Sequence, residues 1–243
     1  MRYLIKFSYD GTNYSGYQKQ PGKNTIEGCL ENALYNINNH KVTRIFSSGR
    51  TDKGVHALGQ TAHFDLNIDI TLYKLKCALN SLLPNDIHVI STEIVDKDFH
   101  ARYLVKEKTY EYKINVGEYS PIDRNYIYQY NKKLNLSKMK KAINKFKGAH
   151  DFKAFTSDEC KKNSYIRKIT KVSMKEQNNI ISIRFSGDGF MKYQVRNMVG
   201  ILIRIGEEKL EPRIIDQIFD DYSMRKSIIT AKPEGLSLIS VKY

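Results

Sequence analysis

Apolar Tyr3, Ile5 and Phe7 alternate with polar Arg2 and Lys6, the period of a half-buried strand, and YDGTNYSGY then supplies turn residues. The period then changes. Asn24 with Glu27 three residues later has the form of a capping box, and Ile26, Leu30, Ala33, Leu34 and Ile37 recur on one helical face. Thr71 stands ready to cap a second helix, with Leu75, Ala78, Leu79 and Leu82 inward and Pro84 as its stop. Ile87 to Val95 reads as a strand.

The second half repeats the theme. Tyr110, Tyr112, Ile114 and Val116 alternate as a strand, and Ser137 is placed to cap a helix bearing Met139, Ala142, Ile143 and Phe146, with Gly148 closing it. Ile181, Ile183 and Phe185 predict another strand. After the turn SGDGF, Val195, Met198, Val199, Leu202 and Ile205 fall at helical spacing. Pro212 opens a last helix through Ile215, Ile218 and Phe219, and Leu236 to Val241 makes a final strand. Strands interleaved with two helices in each half predict an α+β or mixed α/β fold, divided near Leu104 into residues 1–104 and 105–243. With no low-complexity linker between them, the halves are expected to share one continuous sheet.

Composition narrows the function classes. The longest apolar run, Val199 to Ile205, is broken by Gly200 and Arg204, far short of the roughly 20 residues that span a bilayer. The N-terminus reaches a turn too soon for a signal peptide, so a cytoplasmic protein with no membrane partner is expected. Cys29, Cys77 and Cys160 are odd in number and form no C-x-x-C pair, and the six histidines lack H-E-x-x-H spacing, so no metal is expected. Forty Lys and Arg against 26 Asp and Glu give a net charge of +14, which favours a polyanionic partner, with nucleic acid foremost. A lysine-rich composition imposed by codon usage is the competing account of that charge.

The stretch SSGRTDKGVHALGQTAHF concentrates the candidate chemistry. Gly49 and Gly54 have the spacing of a phosphate-cradling loop, but Val55 and His56 stand where its lysine and hydroxyl belong, and Asp52 would repel phosphate. T-D-K-G is also an ordinary turn sequence. A turn alone does not require Arg50, Asp52 and His56 within seven residues. Arg196, at the start of an apolar helix, needs a carboxylate partner or access to solvent. Asp52 is one candidate, and the pair would favour the ionised form that a nucleophile needs; another surface acid is the alternative. Tyr110 shares a strand face with Tyr112, Ile114 and Val116, a pattern commoner in a core than in a catalytic site, and its flat ring is also of the kind that stacks on a base. In AHDFKAF, a packed loop competes with a binding site, and Lys138, Lys140, Lys141, Lys145 and Lys147 give a basic helix surface that is either plainly solvated or meets phosphates.

Taken together, YDGTNYSGYQKQ, GRTDKGVHALGQTAHF, FHARYLVKEKTYEY, GAHDFKAF, VRNMVG and TAKPEGLSL, in that order from Tyr9 to Leu238, resemble the TruA family of tRNA pseudouridine synthases. The resemblance implies the pseudouridine synthase fold: two similar subdomains sharing a mixed, largely antiparallel sheet, with a basic cleft between them. It implies a cofactor-free isomerisation of uridine in the anticodon arm of tRNA, with base flipping, by a homodimer. Asp52 corresponds to the catalytic aspartate, Tyr110 to the tyrosine against the target base, and Arg196 to the arginine paired with the aspartate. Arg50 matches the arginine that assists flipping, and Lys53, His56, Phe155 and Leu236 are expected to contact RNA.

Some positions depart from the family pattern. Tyr17 replaces a common tryptophan, Lys53 a frequent alanine, Met191 and Lys192 more aromatic or histidine-rich choices, and Ser237 a usual tyrosine. None removes the acid, the tyrosine or the arginine, but residues that fit the RNA differ, which leaves open a paralogue acting on rRNA. A non-catalytic RNA-binding module is the rival from another class; it would not need a nucleophilic carboxylate. A glycoside hydrolase would want two carboxylates at defined separation, and the zinc deaminase signature is absent.

Overall fold

The computed structural model describes residues 1–157 and 163–243, so Cys160 lies outside the described residues. The chain forms two compact units, Met1–Lys106 with Ser237–Tyr243, and Glu107–Leu236.

The first unit starts with β1 (Arg2–Tyr9), α1 (Ile26–Ile37), β2 (Phe46–Ser47), β3 (His56–Asp65), α2 (Leu72–Leu82) and β4 (Ile87–Val95). β1 pairs antiparallel with β3 on one side and β4 on the other. Its alternating Tyr3, Ile5 and Phe7 are fully buried, as are Leu30, Leu34, Leu75 and Leu79 of the two helices. The expected capping box on α1 is displaced by one residue: Thr25, not Asn24, accepts the Gly28 N–H. Asn24 is committed elsewhere, its carbonyl taking the Ser15 N–H at 2.9 Å, and the Glu27 carboxylate takes the Lys19 N–H. Thr71 caps α2 as expected. β3 gave no alternating signal because eight of its ten residues are buried, so it has no polar face.

The second unit holds β5 (Glu107–Asn115), β6 (Tyr128–Gln129), α3 (Leu136–Ile143), β7 (Gly148–Asp151), β8 (Ile166–Gln177), β9 (Ile180–Gly187), α4 (Gln194–Gly206) and α5 (Ile214–Asp220). Strands β5, β9, β8 and β7 are neighbours in that order and antiparallel, and β6 runs parallel to β5. Two sequence expectations shift here. Asn135, not Ser137, caps α3 through the Lys138 N–H, and Gly148, at φ +115°, begins β7 instead of closing the helix. β8 is charged along much of its length, and a register shift between Ile169 and Lys171 breaks its alternation, which hid it in the sequence. Phe146, Phe152, Phe155 and Phe185 form the fully buried centre of this unit. The chain then re-enters the first unit with β10 (Leu236–Lys242), which runs parallel to β3 with Ser237 opposite His56.

Candidate active site

Asp52 lies in the connection between β2 and β3. Its carbonyl accepts the Val55 N–H at 3.2 Å, closing a tight turn in which Gly54 adopts φ +76°. The turn reading of T-D-K-G is therefore correct, and what surrounds the turn sets it apart. The loop after β1 is moulded against it: the Thr51 carbonyl accepts the Tyr17 N–H at 3.1 Å, and the Tyr9 hydroxyl lies 2.8 Å from Thr51 Oγ1. A Cβ on Gly11 would fall 2.1 Å from the Val55 carbonyl oxygen. Gly16, at φ +100°, would place one 3.2 Å from the Thr51 oxygen and 3.3 Å from the Lys53 nitrogen. The glycines of YDGTNYSGY are thus the room that the Asp52 peptide occupies.

Of the residues expected beside it, Arg50 and Lys53 are exposed and Asp52 is half-buried. His56 is buried; its Nδ1 accepts the Gly11 N–H at 3.1 Å and lies 3.1 Å from Asp10 Oδ1, so its ring braces the two loops against each other.

In the second unit Tyr110 sits on β5 opposite Phe185, buried, with its ring edge-on to Phe190 at 5.2 Å between centroids. Arg196 occupies the first turn of α4, which begins after Tyr193 in a left-handed conformation. Its Nε–H donates to the Ala231 carbonyl at 2.8 Å, and its guanidinium lies 5.0 Å from the centre of the Tyr193 ring. Asn197 beside it donates to the Phe155 carbonyl at 2.7 Å and accepts from the Thr230 hydroxyl at 2.7 Å. VRNMVG, GAHDFKAF and the start of TAKPEGLSL are therefore joined by hydrogen bonds within this unit. Phe155 and Leu236, expected to meet RNA, are buried, and the Phe155 ring packs edge-on against Phe146 and Phe152. The sequence analysis did not single out Tyr9, Thr51, Gln60 or Tyr193, which contact the site's backbone or Arg196; no local pattern marks them, since β3, which carries Gln60, has no alternation to report its burial. Among the described residues no group of three His, Cys, Asp or Glu side chains is placed to hold a metal ion, and no helix is long and apolar enough to cross a membrane.

The family model for tRNA pseudouridine synthase matches residues 5–104 and 142–243. The chain belongs to the TruA family of tRNA pseudouridine synthases. Relatives agree with that placement over nearly their whole length. A tRNA pseudouridine synthase A of Limosilactobacillus reuteri is 41% identical, covering 100% of this chain and 96% of its own. A tRNA pseudouridine synthase A 2 of Clostridium perfringens is 41% identical, covering 98% of each. A tRNA pseudouridine synthase A of Streptococcus pneumoniae is 38% identical, covering 100% and 98%. A solved Cbf5-Nop10-Gar1 complex aligns at 11% identity with a TM-score of 0.35, covering 93% of this chain and 69% of that one, too loose a likeness to argue from. As a pseudouridine synthase the chain is an intramolecular isomerase of mixed α+β fold, and the strands within each unit pair mostly antiparallel.

Proposed function

We propose that this chain isomerises uridines in the anticodon arm of tRNA, with Asp52 as the nucleophile, Tyr110 covering the target base and Arg196 supplying the positive charge that the anionic nucleophile requires. The observation that carries the assignment of Asp52 is its turn, clamped through the peptides on either side by two glycines and a tyrosine N–H of the neighbouring loop. A reacting carboxylate gains rate from being held in place, and a solvated surface turn has no use for such a clamp.

The reaction balances without a cofactor. The bond between uracil N1 and ribose C1′ breaks, the base turns within the site, and C5 bonds to C1′; the C5 proton leaves and N1 gains one. A base stacked in a stem cannot be reached, so it is extruded first. In this reading Arg50 fills the vacated stack and Lys53 meets phosphate, roles supported by the exposure of both side chains. The same reading includes a homodimer acting on tRNA in the cytoplasm.

The test is pseudouridine mapping on unmodified total tRNA and rRNA treated with the wild-type protein and with Asp52→Asn. New pseudouridines in anticodon arms, absent with the variant, are expected. Sites confined to rRNA would overturn the tRNA target, and full turnover by Asp52→Asn would overturn the nucleophile.

A further inference from the structure

Gln60 is a fully buried polar side chain in the middle of β3, and it spends its amide on the segment that leads to Asp52. Its Oε1 accepts from the Ser48 hydroxyl at 2.6 Å and from the Thr61 N–H at 3.1 Å. Its Nε2 donates to the Gly49 carbonyl at 2.9 Å. Buried Tyr9 continues the network: its hydroxyl bonds to Thr51 Oγ1 and interacts with Gln60. Burial pushes that hydroxyl's pKa up to about 12, so it keeps its proton at assay pH. Ser48, Gly49 and Thr51 are thereby tied down from the sheet, and the intervening Arg50 stays exposed. A buried network with this many members favours one backbone path, because moving the segment breaks several buried hydrogen bonds at once.

We infer that Gln60 and Tyr9 are positioning residues for the reaction: through Ser48, Gly49 and Thr51 they fix the peptides that carry Arg50 and Asp52. Neither touches substrate in this reading. The inference rests on Asp52 being the nucleophile.

The test compares Tyr9→Phe, Thr51→Val, their double variant, Thr51→Ser and Asp52→Asn. Each is measured for single-turnover pseudouridine formation at saturating tRNA, for tRNA Kd and for thermal midpoint. Tyr9→Phe removes one oxygen and keeps the ring in the core. Its single-turnover rate should fall about 10- to 100-fold, the scale of a misplaced catalytic group, with Kd unchanged within about twofold. Thr51→Ser, which keeps the hydroxyl, should restore most of the rate, and the double variant should be no slower than the slower single.

Wild-type rates for Tyr9→Phe and Thr51→Val, or losses that multiply in the double variant, would overturn the inference. So would a loss that follows only the lowered thermal midpoint and disappears on cooling. Asp52→Asn separates the two levels. If it is inactive while Tyr9→Phe runs at full rate, only the positioning role fails; if it turns over normally, the nucleophile assignment fails whatever Tyr9 does.

Discussion

Arg196 and Ala231 exchange two hydrogen bonds: the arginine Nε–H donates to the Ala231 carbonyl at 2.8 Å, and the Ala231 N–H donates to the Arg196 carbonyl at 3.1 Å. The pair staples the first turn of α4 to the TAKPEG segment and fixes the plane of the guanidinium. A lysine has no Nε–H and no rigid fork. Arg196→Lys should therefore lower the single-turnover rate by more than tenfold, as loss of a charged hydrogen bond of about 1.5–3 kcal/mol implies. Rate measurements at saturating tRNA decide it; a wild-type rate would mean that charge alone suffices.

Gly200 lies on the same helix, where an added Cβ would fall 1.6 Å from the Ile229 carbonyl oxygen. The obstacle is backbone, so it cannot swing aside. Gly200→Ala should destabilise by about 1–3 kcal/mol, the usual range for overpacking, and lower the urea midpoint without changing the slope of the transition. An unchanged midpoint would show that the 229–231 segment gives way freely.

Arg50 and Lys53 are exposed cations on either side of Asp52. Binding of tRNA should weaken steeply with salt, and Lys53→Ala should reduce the salt slope by about one if it neutralises one phosphate. Titrations over a range of salt concentrations measure this. Salt-insensitive binding would count against a phosphate-contacting face.

His63 is buried on β3, accepts the Ala101 N–H at 3.1 Å, and has a pKa lowered from 6.5 to about 4 by burial first and by His100 and Arg2 next. The folded state thus favours neutral imidazole, and between these two values the unfolded chain binds the extra proton. The stabilisation is full above pH 6.5 and is lost as pH falls towards 4. His100, also lowered, acts with the same sign. The thermal midpoint should drop across that window, and less steeply in His63→Gln, which keeps an acceptor for Ala101 without titrating. Equal slopes would assign the acid sensitivity elsewhere.

Most elements were legible because their faces differ in polarity: Tyr3, Ile5 and Phe7 on β1, Ile26, Leu30, Ala33 and Leu34 on α1, Leu75 and Leu79 on α2 and the apolar spacing of α4 reported their own burial, whereas Leu82, expected inward, is 46% exposed because it stands at the last position of α2. β3 and β8 were not legible, the first because both its faces are buried and the second because charge and a bulge hide its period. The cap positions of α1 and α3 were decided by which loop atoms reached the first free N–H groups, a matter of chain path and not of residue type.

The same division holds at the site. Asp52, Tyr110 and Arg196 are named by the order and content of six motifs, which the sequence carries in full. Three residues grouped with the RNA contacts, His56, Phe155 and Leu236, are buried, and no local pattern could reveal that, since burial is set by what packs from far along the chain. The sequence by itself determined the family and the alternation of strands and helices, and its motifs marked out the candidate site residues. Only the tertiary structure decided that Gly11 and Gly16 make room for the Asp52 turn, and that Gln60 and Tyr9 tie it to the sheet. Those contacts join residues from 11 to 44 positions apart, and a hydrogen bond or a steric limit exists only once folding brings its two sides together.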